Sequence, residues 1–457
     1  MTAGKEEKTN VLDLHPRLAE GGSLHRMPIG GALVGRHGPG TGITGKHIRH
    51  LNPRAVALLE RCDGSAPLRT IMEEFAAPGH GLGMSPEAVG DFLSERLEEG
   101  VVELYDAAAP LELTVTGSTD YFTPLHFTIE TTDRCNMRCL HCYRNSGPEN
   151  DQALDTDVLL GLIDMMAEEG IISVELTGGE PTLHAGFDRI LRRCLDSFGM
   201  VALITNGSTL SEQMLSPARE APNFIAQIDL DGPRAEVHNT IRQSPTSFGR
   251  ALRSARLLGE FGIRFRAAMN VCKINLPYVA ETAALAHDLG ATWFTFSPIM
   301  DIGRGRGMQL LDRGDQTRLK ELLDTIPADY REDFVRVERE LRASLFEKPG
   351  HCGGGYRSVV LGPDGSLRPC TMMDPGLTFG NLLRQDYHEI FSANTGEYYF
   401  NLQMPDESLC GDCRFLYFCK GCFVRPLRAM EINRENDLGV HCRWDEETGF
   451  TDFIHSC

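Results

Sequence analysis

The stretch Cys135-Asn-Met-Arg-Cys139-Leu-His-Cys142-Tyr143 places three cysteines on one short loop, directly after an apolar strand predicted over 125–130. From residue 124 onward, short apolar strands alternate with helical patterns. The predicted strands are 125–130, 172–177, 201–205, 224–230, 265–271 and 292–297. The predicted helices are 155–168, 185–198, 209–218, 247–261 and 276–289. This alternation predicts an α/β fold with a parallel sheet and outer helices. Six strands are too few for a closed eight-stranded barrel, so we expect a partial (β/α)6 barrel.

The cysteine loop lies where a parallel sheet builds its active site, because loops after the carboxyl ends of strands meet at one edge. Three thiolates on such a loop can each bind one iron of a [4Fe–4S] cluster, which leaves the fourth iron open. The alternative is a structural zinc site, which needs four ligands. His141 could supply the fourth, but it lies between two cysteines of a tight loop. The spacing favours the cluster.

The pattern C-x3-C-x2-C after the first strand resembles the radical SAM superfamily. The resemblance implies that the open iron binds S-adenosylmethionine through its amino and carboxylate groups. One electron from the cluster then cleaves the sulfonium, and the resulting 5′-deoxyadenosyl radical abstracts a hydrogen atom from the substrate. Cys135, Cys139 and Cys142 become the catalytic cluster ligands, and His141 is counted among the cofactor-binding residues.

The ends of the second and third predicted strands match the same family. Strand two ends in Thr177-Gly178-Gly179-Glu180-Pro181, which resembles the motif that binds the amino group of S-adenosylmethionine in the family. Strand three ends in Thr205-Asn206-Gly207, again a family match. Ordinary strand-to-helix turns have similar sequences, so the assignment of these residues to the cofactor depends on the resemblance.

The ends of the fourth and sixth strands carry further candidates. Asp229 stands where the family usually has serine; it could accept ribose hydroxyls but would repel the cofactor's carboxylate. His238 and Arg242 match a stretch of relatives, and Arg242 could pair with that carboxylate or form a surface salt bridge. After the sixth strand, Gly303-Arg304-Gly305 also resembles the family pattern.

Seven more cysteines form a second constellation near the C-terminus: Cys352, Cys370, Cys410, Cys413, Cys419, Cys422 and Cys442. Their spacing resembles the SPASM domain of radical SAM peptide-modifying enzymes, although two residues, not the usual three, precede Cys422. The resemblance implies two auxiliary iron–sulfur clusters. The outer one would use Cys410, Cys413, Cys419 and Cys442, and the inner one Cys352, Cys370 and Cys422.

The inner cluster lacks one ligand, because full-ligand relatives have another cysteine shortly after the first and none occurs between 352 and 370. It therefore keeps an open iron or borrows His351 or Cys457. The alternative for the whole region is a pair of zinc knuckles. The auxiliary clusters could relay electrons, and an open iron could instead bind a substrate thiolate.

The pattern of residues 28–108 predicts a winged helix-turn-helix domain. Its first helix starts at Asn52-Pro53, its second covers 68–76, its third starts at Ser85-Pro86, and a strand at Val101–Leu104 closes it. The third helix is acidic, which argues against DNA binding. The run 51–64 resembles a PqqD-like RiPP recognition element, a domain that binds the leader of a ribosomal precursor peptide by strand addition. A purely structural cap is the alternative.

Composition narrows the class of partner. The 457-residue chain has 45 Lys and Arg against 64 Asp and Glu, a formal charge of −19, so nucleic acid is not expected as a partner. No apolar run of about 18 residues occurs, and the polar N-terminus is not a secretory signal, so we expect no membrane contact and a cytoplasmic protein. Cys62, Cys194 and Cys272 sit alone in apolar stretches and are expected to be buried hydrophobes.

The expected organisation combines these segments. The ranges are a flexible tail 1–27, the leader-recognition domain 28–108, a linker 109–121, the radical SAM partial barrel 122–325, a bridging helical segment 326–350 and the SPASM domain 351–457. The function we predict is maturation of a ribosomally made peptide by a thioether or carbon–carbon crosslink, with a flavodoxin- or ferredoxin-type electron donor. The alternatives are a radical SAM peptide epimerase and, in another class, a zinc-bound winged-helix scaffold protein.

Overall fold

The computed structural model describes residues 10–34, 48–77, 84–306, 311–327, 334–337 and 351–456, and it places the cysteine loop at the carboxyl edge of a parallel sheet. The chain divides into two compact units, the first ending at Thr123 and the second starting at Pro124. Among the described residues, no helix has the length and apolar character needed to cross a membrane.

The first unit contains two small sheets. Its strands are β1 (His15–Leu18), β2 (Ser23–Met27), β3 (Gly30–Val34), β4 (Ile48–Leu51), β5 (Val102–Tyr105) and β6 (Thr114–Gly117). β1 pairs antiparallel with β5, and the other four form a sheet in the order β4-β3-β2-β6. Residues 10–27, predicted as part of a mobile tail, are therefore in the fold. The predicted linker 109–121 likewise contributes β6, which pairs in parallel with β2.

Three helices complete the first unit: α1 (Pro53–Glu60), α2 (Leu68–Ala76) and α3 (Pro86–Glu98). The Asn52 side chain accepts a hydrogen bond from the Ala55 amide, and proline follows as the first helical residue, as expected for a helix start. Leu24, Leu58 and Ile71 are fully buried in the core of this unit. The three predicted helices are confirmed.

The second unit is built on a curved sheet. Its parallel strands are β7 (His126–Thr132), β8 (Ser173–Gly178), β9 (Met200–Thr205), β10 (Phe224–Asp229), β11 (Phe265–Val271) and β12 (Trp293–Pro298). They lie in sequence order, as predicted for a partial barrel. Glu175 of β8 and Arg266 of β11 come within 3.7 Å although β9 and β10 lie between their strands. The sheet therefore curls until its inner side chains meet across the lumen.

Helices cover the outer face of this sheet: α4 (Thr156–Glu168), α5 (Phe187–Ser197), α6 (Glu212–Leu215), α7 (Ala235–Arg242), α8 (Ser247–Glu260), α9 (Val279–Asp288) and α10 (Arg313–Asp324). The predicted helix 209–218 is shorter than expected and ends in a 3-10 turn over Ser216–Ala218. The sequence prediction missed α7, a short helix between the fourth strand and α8. The lone cysteines Cys62, Cys194 and Cys272 are buried, as predicted.

The C-terminal segment extends the same sheet. β14 (Ser358–Leu361) pairs in parallel with β7, and β15 (Ser366–Arg368) and β16 (Gly380–Asn381) follow antiparallel. At the opposite edge, β13 (Val335–Val337) pairs with β12, so this part of the predicted helical segment 326–350 is a strand. Cys410 and Cys419 end two of the helices that follow, whereas Cys352, Cys370, Cys413, Cys422 and Cys442 lie outside helices and strands. The helices are Tyr387–Ile390, Ala393–Asn401, Glu407–Cys410, Leu416–Cys419, Arg425–Glu435, Arg443–Thr448 and Phe450–Ser456.

Candidate active site

The loop of Cys135, Cys139 and Cys142 follows β7 and is held by backbone hydrogen bonds. The Cys135 amide donates to the Gly147 carbonyl over 3.1 Å, and the Leu140 amide donates to the Ile241 carbonyl over 2.9 Å. Cys135 and Cys139 are each 7% exposed. All three thiols pack together with Met137 in one small apolar cluster. The structure thus brings the three predicted ligands onto one patch, in which Cys135 and Cys139 are buried and Cys142 is partly buried.

Arg304 clamps this loop, a role that sequence reasoning missed although the glycine-flanked arginine was noticed. Its Nε donates to the Cys139 carbonyl over 2.9 Å, and its Nη2 donates to the Ser146 carbonyl over 2.7 Å. Its own amide donates to the Cys142 carbonyl. The short turn after β12 therefore fixes the second half of the cysteine loop and the residues that follow it.

Glu180 is a buried carboxylate beside the loop. Its oxygens accept hydrogen bonds from the Thr182 hydroxyl, the Thr205 hydroxyl at 2.7 Å and the Asn206 amide at 2.9 Å. Burial raises the pKa of Glu180, and these three donors oppose that rise. All three donors are neutral, so the carboxylate's charge is not compensated by them. A buried carboxylate in that state fits a cationic ligand such as the ammonium group of S-adenosylmethionine.

The turn after β9 joins Glu180 to the cysteine loop. Asn206 Nδ2 lies 3.0 Å from Asn136 Oδ1 and 3.8 Å from Cys135 Sγ. The Gly179 amide donates to the Thr132 carbonyl over 2.7 Å, which holds the glycine turn against the start of the loop. The predicted cofactor residues at the ends of β8 and β9 therefore lie together at the cysteine loop.

Arg242 lies on the other side of the loop in an acidic environment. It is 4% exposed, so the alternative of a surface salt bridge is wrong. Its Nη1 donates to Asp229 Oδ2 over 3.0 Å and lies 3.8 Å from Cys139 Sγ, while its Nε lies 2.7 Å from Asp231 Oδ2. Asp229 is thus neutralised by the arginine that was expected to receive the cofactor carboxylate.

Asp231 is the centre of this network, which sequence reasoning did not identify. It is fully buried and also accepts from His141 Nε2 at 3.1 Å and from the Asn270 amide at 2.9 Å. Burial alone would raise the pKa of Asp231, but Arg242 and His141 outweigh it and hold that pKa below its ordinary value. His141 Nε2 is thereby engaged by a buried carboxylate.

The thiols have the properties expected of an iron–sulfur site. Burial raises the pKa of Cys135 to about 12 and raises that of Cys139, where the Arg242 guanidinium opposes the rise. Metal binding requires thiolates, so iron must displace these protons. Buried thiols that share one loop and accept hydrogen bonds from an amide and a guanidinium fit the three-thiolate side of a cluster.

The outer auxiliary set is also assembled. Cys410, Cys413, Cys419 and Cys442 line one cavity of about 250 Å³, next to Trp444. Within the described residues, no three His, Cys, Asp or Glu side chains converge to hold a single metal ion. The fit to a cluster therefore comes from four thiols that face a shared space large enough for several iron atoms.

A glycine lets the chain segments next to the inner cysteines approach one another. A Cβ on Gly354 would lie 2.8 Å from the Pro369 carbonyl oxygen and 2.9 Å from the Phe423 ring, so the backbone there approaches both closely. Gly354 follows Cys352 by two residues, Pro369 precedes Cys370 and Phe423 follows Cys422. The Gly353 amide donates to His351 Nδ1 over 2.9 Å. Cys457, the other proposed extra ligand, lies outside the described residues.

Family models match both cysteine regions. Residues 129–286 match the Radical SAM superfamily, and residues 352–414 match the SPASM iron–sulfur cluster-binding domain. Together with the loop geometry, these matches define the class: the chain carries a radical SAM domain and a SPASM domain, and it is an S-adenosylmethionine-dependent enzyme that uses iron–sulfur clusters.

Known proteins of this class are similar over different lengths. The antilisterial bacteriocin subtilosin biosynthesis protein AlbA of Bacillus subtilis (strain 168) is 27% identical, over 97% of this chain and 99% of its own length. The AdoMet-dependent heme synthase of Methanosarcina barkeri (strain Fusaro / DSM 804) is 27% identical, over 66% of this chain and 91% of its own. Streptococcus suis SuiB, in a crystal structure with its precursor peptide SuiA, has the same fold, with a TM-score of 0.62 and 16% identity. The match covers 90% of this chain and 97% of the SuiB chain.

Proposed function

We propose that this enzyme matures a ribosomally synthesised precursor peptide and forms an intramolecular thioether or carbon–carbon crosslink. When bound, S-adenosylmethionine on the cluster supplies a 5′-deoxyadenosyl radical that takes a hydrogen atom from the peptide. A closed-shell crosslink requires the net loss of two hydrogen atoms, so one further electron and one proton must leave the substrate. Iron–sulfur clusters on the C-terminal cysteines, which lie in the same unit as the loop, would be suited to receive the electron.

The observation that carries this proposal is the length of the similarity to AlbA. That similarity spans 97% of the chain and hence includes the first unit, whereas the similarity to the heme synthase covers 66%. A tetrapyrrole enzyme has no use for a peptide-docking unit. SuiB, whose fold covers 90% of this chain, was crystallised with a precursor peptide.

The site residues receive the following roles in this proposal. Cys135, Cys139 and Cys142 hold the [4Fe–4S] cluster. Glu180 receives the cofactor's amino group, because its hydrogen-bond donors within the described part of the chain, Thr182, Thr205 and Asn206, are all neutral. Arg242 lies beside the proposed carboxylate position, and its charge is shared between Asp229 and Asp231. The other cofactor contacts are Gly178, Gly179, Pro181, Thr205, Asn206 and His141.

The C-terminal cysteines complete the metal sites. We assign the outer auxiliary cluster to the four thiols of the shared cavity and the inner one to Cys352, Cys370 and Cys422. Both are proposed as [4Fe–4S] clusters that pass electrons between substrate and an external flavodoxin or ferredoxin. The inner cluster, with three assigned thiols, has an iron free for a fourth ligand or a substrate thiolate.

The first unit is proposed as the leader-binding domain of the PqqD-like type. β4 lies at the end of its four-stranded sheet, so a peptide can add there as a further strand. Arg49 and His50 of β4 are partly exposed. Main-chain hydrogen bonds to an added strand would supply affinity, and the side chains of β4 and the neighbouring helices would supply specificity.

The test compares the full chain with a chain that starts at Pro124, the first residue of the second unit. We expect the shortened enzyme to cleave S-adenosylmethionine but to lose turnover of a leader-bearing peptide. Mass spectrometry identifies the product: a crosslink removes two hydrogen atoms, while epimerisation leaves the mass unchanged. The control is the same peptide without its leader, which the full chain should modify poorly. Undiminished turnover of the leader-bearing peptide by the shortened chain would refute leader binding.

A further inference from the structure

Glu130 is a fully buried carboxylate on β7 that the reaction described above does not use. It forms ion pairs with Arg144 and Arg368 and accepts a hydrogen bond from the Tyr143 hydroxyl over 3.0 Å. The side chains of both arginines are buried, at 7% and 1% exposure. Removing one partner of a buried ion pair strongly destabilises the folded chain, because the other charge is left buried without a counter-charge. The four side chains are therefore held in one arrangement.

The partners of Glu130 come from the two cysteine regions. Arg144 follows Cys142 by two residues, and Arg368 precedes Cys370 by two residues. Arg368 Nη1 also donates to the Met373 carbonyl over 3.2 Å, which ties it to the turn after Cys370. Because β14 pairs with β7 and β15 pairs with β14, the strand that leads to Cys370 lies two positions along the sheet from the strand that leads to Cys135. One carboxylate therefore links the two loops.

The charges of this network act on both loops. Two guanidinium groups share one carboxylate, and water does not reach Glu130 to screen them. Asp364 lies near Arg144 but belongs to a turn at the protein surface, where it bonds to Ser366. A cluster gains a negative charge on reduction, so a positive charge nearby raises its reduction potential and a negative charge lowers it.

We propose that Glu130 is a positioning residue that joins the radical-cluster loop to the inner-cluster loop and, with Arg144 and Arg368, sets the reduction potentials of the clusters on both. This goes beyond the proposed peptide chemistry and rests on the assignment of Cys142 and Cys370 as cluster ligands. Glu130 touches neither thiol, so it acts through its arginines.

Two substitutions of opposite charge test the proposal in the full chain, reconstituted with iron and sulfide under anaerobic conditions. Glu130→Gln adds one positive charge to the network, and Arg368→Met removes one. EPR-monitored redox titration measures the potentials. We expect Glu130→Gln to raise them and Arg368→Met to lower them, each changing the one-electron reduction equilibrium at least tenfold, or 59 mV. A role in folding alone predicts no such opposition of sign.

The matched control is Glu169→Gln. Glu169 also joins the barrel to the C-terminal segment, by a 2.9 Å contact with His388, but that contact is at the surface. It should leave both potentials unchanged. If Glu130→Gln does not fold, Arg144→Met is measured in its place, together with Arg368→Met. Each of these two variants removes one positive charge and must lower the reduction potentials. Unchanged potentials, or shifts of one sign from opposite charge changes, would overturn the proposal. Iron content of Cys370→Ala, measured alongside, tests the ligand assignment separately.

Discussion

Gly179→Ala is expected to disable the site without unfolding the chain. A Cβ at residue 179 would lie 2.2 Å from the Arg134 carbonyl oxygen, and ordinary contact begins at 3.4 Å. The neighbours are backbone atoms, so the turn must move away from the cysteine loop by about 1.2 Å. Arg134 directly precedes Cys135 and Glu180 directly follows Gly179. The shift therefore separates the first thiol from the carboxylate proposed to bind the cofactor's amino group.

The size of the effect follows from that displacement. A misplacement of about 1 Å can reduce a rate by about 10²-fold. Overpacking of this kind costs about 1–3 kcal/mol of stability, which a chain of this size can tolerate. We expect S-adenosylmethionine cleavage to fall by about two orders of magnitude, with a modest drop in melting temperature and unchanged iron content.

The assay is the rate of 5′-deoxyadenosine formation by reconstituted enzyme with dithionite, together with the affinity for S-adenosylmethionine. Gly161→Ala is the matched control: Gly161 lies in α4, and a Cβ there meets no atom within 4 Å. That variant should cleave the cofactor normally and gain about 0.5–1 kcal/mol of stability. Wild-type cleavage by Gly179→Ala would refute the assignment of this turn to the cofactor.

Three further predictions concern stability and metal content. Burial lowers the pKa of His25 from 6.5 to about 4, so the contribution of neutral His25 to stability is complete above pH 6.5. As the pH falls toward 4, the free energy of unfolding should decrease by roughly 3 kcal/mol. Urea unfolding across this range measures the decrease, and His25→Gln should make the free energy of unfolding less dependent on pH. Asp231→Asn leaves Arg242 short of one buried partner and should cost about 3–5 kcal/mol, seen as a lower melting temperature. Gly355→Ala would place a Cβ 2.3 Å from the Tyr399 ring at a φ of +88°; iron analysis should show loss from the C-terminal domain, with the loop cluster kept.

The barrel could be predicted because its strands carry a local signal. β11 lies within its predicted bounds residue for residue, since 265–271 is an apolar run buried over almost its whole length. The candidate site followed from the barrel, because parallel strands must deliver the cysteine loop and the glycine turn to one edge. The clustering of Glu180, Asn206 and Cys135 needed no information beyond strand order.

The features that were missed depend on partners distant in sequence. Glu130 interrupts an apolar strand, and its partner Arg368 is 238 positions away. No pattern of neighbouring residues in the sequence could therefore predict this ion pair. β1 was taken as part of a tail because its partner β5 comes about 90 residues later, and β2, which also forms a hairpin with β3, has its second partner β6 equally far along the chain. β14, only four residues long, has too few side chains to show a period. In each case, pairing across the fold decided the structure.

The pairing of β14 with β7 has a consequence for exchange of parts between enzymes. Ser358 to Leu361 align with His126 to Ile129 in one unbroken register, so the C-terminal domain is hydrogen-bonded into the barrel itself. Two strand spacings of about 5 Å each separate β7 from β15, and this fixes the lateral distance between the two cysteine loops. A C-terminal domain grafted from a relative must keep this register; a slip of one residue would turn its inward side chains outward and shift its metal site relative to the cofactor.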